Sequence, residues 1–144
     1  MLPSDAHVLI IDNHAVVARL MAKIFGLIGI SQTELAFDSQ TAHSQLKLIR
    51  PDIVVIDANI APTRAPVLIA LVRALTDGRA VTILTTTSLN AEVVQAARGA
   101  GVDEVLLKPF TPNDLRARLL SAKAQHEAPR TNLRSCQVSN VALV

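Results

Sequence analysis

The sequence has 144 residues, which suits one globular domain with a full hydrophobic core. Half of the residues are apolar but only 2% are aromatic, so the core must be built from aliphatic side chains. The net charge of +2, without a basic run, argues against nucleic acid as a partner, and the single cysteine, Cys136, excludes an internal disulfide. No apolar stretch reaches membrane-spanning length and no signal peptide is recognisable, so we expect a soluble, cytoplasmic protein without membrane contact.

Short apolar runs alternate with longer amphipathic stretches, which predicts strands that alternate with helices. The predicted elements are, in chain order, a strand at 7–12, a helix at 14–28, a weak strand at 33–37, a helix at 40–49, a strand at 52–57, a helix at 67–75, a strand at 80–86, a helix at 91–99, a strand at 104–107 and a last helix that opens at 111–114. The first, third and fourth strands are nearly continuous apolar runs, which is typical of a parallel sheet covered by helices on both faces. The pattern therefore predicts a doubly wound α/β domain.

Residues near the helix ends support these boundaries. Ser39 and Thr111 are candidate N-caps, Pro112 fits a first turn, and Gly29 and Gly101 end the first and fourth helices. In the first helix the predicted inner positions follow at three- and four-residue spacing: Val17, Leu20, Met21, Ile24 and Ile28. The histidines are predicted to be surface or helix-start residues, namely His7, His14, His43 and His126.

Polar side chains follow four of the predicted strands. They are Asp12 and Asn13 after the first strand, Asp57 and Asn59 at the third, the threonines 85–87 at the fourth, and Lys108 after the fifth. Ligands bind outside the carboxyl ends of the strands in such sheets, so we expect these groups to form one site. Carboxylate and amide oxygens suit Mg²⁺, and a lysine can pair with a carboxylate or a phosphoryl oxygen.

Three segments carry a resemblance to a known family: "VLIIDNH" at 8–14, "PDIVVIDANIAP" at 51–62 and "TILTTTSLNAEVVQAARGAGVDEVLLKPF" at 82–110. Over about 6–124, the chain resembles the CheY-like receiver domain of response regulators in two-component phosphorelay signalling. The resemblance implies a flavodoxin-like (βα)5 fold with a five-stranded parallel sheet in the order 2-1-3-4-5. We therefore divide the chain into a receiver domain, 1–124, and a C-terminal tail or linker, 125–144.

The resemblance also implies a reaction. Asp57 accepts a phosphoryl group from a histidine kinase or a histidine phosphotransfer protein, which makes the chain a signalling phosphoprotein rather than an enzyme, with at most self-catalysed phosphorylation and dephosphorylation. Lys108, held by a cis Lys108–Pro109 peptide, and the Thr86 hydroxyl are implied to bind phosphoryl oxygens. The implied cofactor is Mg²⁺, with the ligands Asp12, Asn13, Asp57 and the backbone carbonyl of Asn59.

Five positions depart from the family pattern. Asn13 stands where a second acid is usual, so its oxygen can bind a cation but brings no charge, and we expect weaker Mg²⁺ binding. Val105 replaces an aromatic residue whose ring turns inward on activation, so that part of the switch is absent or altered. Thr87 replaces a small residue and narrows access to the acceptor in our interpretation. Ala61 and Ala65 replace a usual Pro and Gly, which predicts a reshaped loop after the acceptor.

These observations leave three interpretations. The first is a single-domain receiver that signals through contacts of its fourth helix, fifth strand and fifth helix with a downstream protein, with a homodimer also possible. The upstream partner is then expected at the first half of the first helix and at the Pro109–Phe110 loop. The second is a receiver-like interaction or dimerisation module that works without phosphorylation, which Asn13 and Val105 favour. The third, a flavin binder, lacks the expected aromatic residues and a Gly-rich phosphate loop.

Overall fold

The computed structural model describes residues 4–127, and all five predicted strands and five predicted helices are present. The strands are β1 (His7–Ile11), β2 (Gln32–Ala36), β3 (Ile53–Asp57), β4 (Val81–Thr86) and β5 (Glu104–Leu107). The helices are α1 (Ala15–Leu27), α2 (Ser39–Ile49), α3 (Ala65–Leu75), α4 (Ala91–Ala100) and α5 (Pro112–Glu127).

The strands form one parallel sheet in the order β2-β1-β3-β4-β5, so the flavodoxin-like topology is confirmed. Each face of the sheet carries its own aliphatic core. One core packs the sheet against α2, α3 and α4, and the other packs it against α1 and α5. The side chains of β1 and β3 alternate between these two cores, which is why both strands read as continuous apolar runs. This arrangement places the carboxyl ends of all five strands at one edge.

The helix ends agree with the sequence at most positions. Thr111 and Asp114 exchange hydrogen bonds between backbone N–H and side-chain oxygen, as in a capping box at the start of α5. Gly101 ends α4 in the left-handed region with φ of 100°. The predicted Ser39 cap is wrong, because Asp38 precedes α2 and its carboxylate accepts the Thr41 N–H at 2.7 Å. That hydrogen bond lowers the pKa of the Asp38 carboxyl below its ordinary value.

Two further expectations differ from the structure. Leu20 is 56% exposed and not an inner residue of α1, because Ala18 and Phe25 occupy the buried stripe. His126 is not a free surface residue: its ring nitrogen lies 3.1 Å from the buried carboxylate of Asp103, across the packed end of α5. Single apolar spacings fit more than one helix face, and a partner distant in sequence cannot be inferred from spacing.

The boundary of the predicted tail is the remaining difference. α5 continues through Glu127, three residues past the expected end of the receiver domain at 124. The rest of the predicted tail, with Cys136, lies outside the described residues, so the division of the chain stays a prediction. Within 4–127, no helix is long and apolar enough to cross a bilayer. The peptide Lys108–Pro109 is cis as predicted, and Ala61–Pro62 is cis as well.

Candidate functional site

Asp12, Asp57 and Lys108 form one cluster at the carboxyl edge of the sheet. Asp12 follows β1, Asp57 ends β3, and Lys108 follows β5, so three separate strands deliver them. The Lys108 ammonium donates to Asp12 Oδ2 and to Asp57 Oδ1, each at 2.7 Å. Both carboxylates are buried. One cation therefore bridges two buried anions, which leaves the cluster a formal charge of −1.

The two carboxylates keep Lys108 in its charged form. Burial opposes the ammonium and would lower its pKa, but the hydrogen bonds and charges of Asp12 and Asp57 outweigh burial and raise the pKa above its ordinary value. The position of the chain before the lysine is also fixed, because the Lys108 N–H donates to the Thr86 carbonyl at 2.7 Å. The site thus contains a permanent cation at a defined place.

The second oxygen of each carboxylate has its own contact. Asp12 Oδ1 accepts the backbone N–H of His14 at 2.8 Å, and the His14 ring nitrogen lies 3.3 Å from the same oxygen. Within 4–127, Asp57 Oδ2 accepts the backbone N–H of Asn59 alone, at 3.2 Å. Asp57 Oδ2 is therefore held by one neutral donor, while Asp57 Oδ1 is held by an ammonium.

Thr86 ends β4 at the same edge, but its hydroxyl is engaged elsewhere. Its Oγ1 donates to the Ser88 carbonyl at 2.9 Å and accepts the Ser88 N–H at 3.2 Å. Both contacts lie within the loop that joins β4 to α4. The hydroxyl thus closes a local turn rather than contacting Asp57.

The Asn13 side chain forms a hydrogen bond with the turn that follows β2. The side-chain Nδ2 donates to the carbonyl of Phe37, in the β2–α2 turn, at 3.1 Å. The Arg19 guanidinium also lies over the Phe37 ring, 5.6 Å from its centroid. Asn13 thus ties the β1–α1 loop to the β2–α2 turn, a contact that the sequence did not suggest.

The residues at this edge fit a hard divalent cation. Within 4–127, no three side chains among His, Cys, Asp and Glu cluster as a self-sufficient metal site. Mg²⁺, however, commonly uses only one or two carboxylates and keeps several waters. Asp12 and Asp57 are two carboxylates that stand together at this edge of the sheet. The donor set is therefore compatible with Mg²⁺.

Two residues make contacts near the site that were not predicted from the sequence. His14 contacts Asp12 through both its backbone and its ring, and its place two residues after the acid was the available signal. Ser39 is buried and contacts the loop that follows Asp57. No sequence signal indicated that contact, since its partners lie more than twenty positions away.

Comparisons with known proteins identify a family for this chain. The family described as response regulator receiver domain matches residues 8–120. The chemotaxis protein CheY-3 of Vibrio cholerae is 28% identical over 121 residues, which cover 83% of this chain and 92% of that protein.

Solved structures show the same fold. A CheY-like receiver domain protein from Methanospirillum hungatei superposes with a TM-score of 0.76 at 18% identity, over 85% of this chain and 98% of that one. A response regulator from Burkholderia pseudomallei, solved with a phosphorylated aspartic acid, a calcium ion and citrate, has a TM-score of 0.73 at 20% identity, over 94% and 73% of the two chains.

Proposed function

The chain belongs to the family of response-regulator receiver domains, the signalling domains of two-component systems, and from that premise we propose that Asp57 is its phosphoryl acceptor. The observation that carries the proposal is the bridge from Lys108 to both Asp12 and Asp57. An acceptor site needs a buried carboxylate next to a fixed cation that can bind the incoming phosphoryl oxygens. The Burkholderia structure supports the proposal by analogy, since that response regulator was solved with a phosphorylated aspartic acid.

The geometry suggests which oxygen reacts. Asp57 Oδ1 is bound to the Lys108 ammonium, whereas the N–H of Asn59 is the one donor to Asp57 Oδ2 among the described residues. We assign Oδ2 as the nucleophile, because it keeps more of its electron density. Its lone pair forms the new bond to phosphorus while the bond from phosphorus to the donor histidine nitrogen breaks, and that nitrogen keeps the electron pair. Lys108 then balances the added negative charge.

A divalent cation belongs to this proposal as well. Asp12, Asp57 and the backbone carbonyl of Asn59 would hold Mg²⁺, which supplies further neutralisation of the phosphoryl oxygens when bound. Asn13, in its observed orientation, presents its amide nitrogen to Phe37 and contributes no charge. We therefore propose Mg²⁺ binding with two acids rather than three. A Thr86 contact with the phosphoryl group would require its hydroxyl to leave Ser88.

The test uses a small phosphodonor so that no partner is needed. Wild-type protein is incubated with Mg²⁺ and acetyl phosphate, and intact mass is measured. We expect a mass increase of one phosphoryl group that is absent in Asp57→Asn. Asp77→Asn is the matched control, since Asp77 is exposed, and Asn tolerates its φ of 53°.

Two results would contradict the proposal. One is a wild-type protein that takes up no phosphoryl group across a range of Mg²⁺ concentrations and from a panel of histidine kinases. The other is an adduct of equal yield in Asp57→Asn. Either result would favour the second interpretation, a module that works without phosphorylation.

The upstream partner is proposed to dock on α1. The helix presents apolar Val16 and Leu20 to solvent, 78% and 56% exposed, next to the basic residues Arg19 and Lys23. α1 contains no acidic residue. An apolar stripe with a basic border suits a helix of a histidine kinase or histidine phosphotransfer protein that carries acidic side chains beside its apolar face.

The output surface is proposed on α4, β5 and α5. The buried Glu104 carboxylate of β5 accepts the Ser121 hydroxyl of α5 at 2.7 Å and lies 3.8 Å from Arg98 of α4. Leu107 and Leu120 add exposed apolar area. The face is therefore a connected unit that a downstream protein or a second copy could contact. The cytoplasmic location expected from the sequence stays a prediction.

A further inference from the structure

Ser39 binds the loop that follows the proposed acceptor at two points. Its backbone N–H donates to the Ala61 carbonyl at 3.0 Å, and its Oγ accepts the Thr63 N–H at 2.8 Å. The residue is only 2% exposed, so water does not compete for these bonds. The three-residue segment around Pro62 is thus fixed to the first residue of α2.

The hydroxyl of Ser39 is not needed by its own helix. Asp38 precedes α2 and its carboxylate satisfies the Thr41 N–H. The Oγ of Ser39 is instead directed to a loop 24 positions later in the chain. The Ser39 hydroxyl therefore acts on that loop. The same loop contains Ala61, at a position where the family usually has a proline.

The other end of the same loop contacts Asp57 directly. The Asn59 N–H donates to Asp57 Oδ2 at 3.2 Å, and the Ile60 N–H donates to the Asp57 backbone carbonyl at 3.1 Å. The Ile60 side chain is buried in the core and anchors the middle of the loop. Ser39, through Thr63 and Ala61, thus fixes one end of a short segment whose other end holds the acceptor carboxylate.

The β2–α2 turn contacts both loops of the site. The Phe37 carbonyl accepts a hydrogen bond from Asn13 Nδ2 in the β1–α1 loop. Two residues later, Ser39 Oγ accepts the Thr63 N–H in the loop after Asp57. Residues 37–39 therefore contact both the loop after β1 and the loop after β3. They help to set the distance between these two loops.

We propose that Ser39 is a positioning residue of the acceptor site. It fixes the loop at 58–63 so that the backbone of Asn59 presents its N–H to Asp57 and its carbonyl to a divalent cation. This inference rests on the proposed function, because it assigns Ser39 to the same site. Ser39 contacts neither the phosphoryl group nor the cation.

The test compares Ser39→Ala with Ser44→Ala. Ser44 is an exposed residue of α2 whose hydroxyl donates only to the Gln40 carbonyl within the helix, so its loss leaves the loop untouched. Mg²⁺ is titrated into each unphosphorylated protein, and the backbone amide resonances of 57–61 and of Thr63 are followed by NMR. We expect Ser39→Ala to weaken Mg²⁺ binding by about 10-fold, as is usual when a group that orients a ligand is removed. Ser44→Ala should match the wild type.

A second readout reports the loop itself. Hydrogen exchange at the Thr63 amide should accelerate in Ser39→Ala, since that N–H loses its acceptor, and should stay unchanged in Ser44→Ala. Ser39→Gly removes the same oxygen and replaces Ser39→Ala if the alanine variant does not fold.

The outcomes separate this inference from the proposed function. Superimposable Mg²⁺ titrations of wild type and Ser39→Ala, or a wild type that binds no Mg²⁺, would overturn the positioning role. A wild type that binds Mg²⁺ but takes no phosphoryl group from acetyl phosphate or from a panel of histidine kinases would contradict the proposed function, and the Mg²⁺ titration would still decide the role of Ser39. A lower melting temperature with unchanged Mg²⁺ affinity would show a purely structural role.

Discussion

At the scale of single residues, Lys108 contributes a constant positive charge to the site. A lysine with a raised pKa in the folded state contributes its ion-pair stability fully below the unfolded value of about 10.4 and loses it only as the pH rises through the folded value. Lys108 therefore stays charged throughout the neutral range. Any change of the site between pH 6 and 9 must come from other groups.

Asn13 is a residue whose replacement by an acid should strengthen cation binding. We expect Asn13→Asp to tighten Mg²⁺ binding by roughly 10-fold, because a third carboxylate adds a full negative charge next to Asp12 and Asp57. The variant also loses the Nδ2 hydrogen bond to the Phe37 carbonyl. Calorimetric Mg²⁺ titration of the unphosphorylated protein measures the change.

The control for this prediction is Gln95→Glu, which adds the same charge on the exposed face of α4. It should leave Mg²⁺ affinity at the wild-type value. Equal affinities of Asn13→Asp and wild type would show that position 13 lies outside the coordination sphere.

At the scale of elements, α4 ends at Gly101, which lies against the side chain of Arg73 on α3. Gly101 has φ of 100°, and a Cβ added there would lie 2.6 Å from Cδ of Arg73 on α3. Arg73 in turn donates to the Gly101 carbonyl at 3.2 Å. A side chain at 101 would therefore displace the Arg73 side chain and disturb its hydrogen bond to the Gly101 carbonyl.

Gly101→Ala and Gly99→Ala should have opposite effects on stability. We expect Gly101→Ala to lower the free energy of unfolding by about 1–3 kcal/mol, since alanine is strained at that φ and displaces Arg73. Gly99 lies within α4 with open space around it, so Gly99→Ala should raise stability by about 0.5–1 kcal/mol. Urea unfolding of both variants measures this, and effects of the same sign would contradict the assigned backbone conformations.

Much of the fold and part of the site could be predicted from the sequence, for identifiable reasons. Asp12, Asp57 and Lys108 were found because parallel strands bring their carboxyl ends to one edge, whatever their separation in the chain. The contacts of Asn13 with Phe37 and of Ser39 with Thr63 could not be found that way. They join loops, and loop conformation follows from tertiary packing rather than from periodicity. Asp38 and Ser39 were confused as caps because both residue types cap helices.

At the scale of the whole molecule, residues 4–127 contain the complete sheet and both aliphatic cores. The last core residue of α5 is Ala122, and α5 itself ends at Glu127. The part of the chain that the structure describes therefore has an aliphatic core on each face of the sheet, and burial of these side chains stabilises the fold.

A chain shortened to end at Glu127 should unfold with the free energy of the full chain, within about 0.5 kcal/mol. A chain ended at Arg118, which also lacks Leu119 and Ala122 from the core, should lose most of its stability. Chemical denaturation compares the three proteins, and size-exclusion chromatography shows whether the shortened chain keeps the same assembly state. A large stability loss in the first chain would assign a packing role to 128–144.

The contact of His126 with Asp103 has a consequence for how a signal could travel. Asp103 precedes β5 and so lies at the opposite edge of the sheet from Lys108, and His126 holds the last turn of α5 there. α5 has 16 residues, which correspond to about 24 Å of helix. Glu127 therefore lies towards the edge of the sheet opposite the end that carries Asp57. A displacement of α5 is one route by which a change at Asp57 could reach Glu127, and the contact of His126 with Asp103 would resist that displacement.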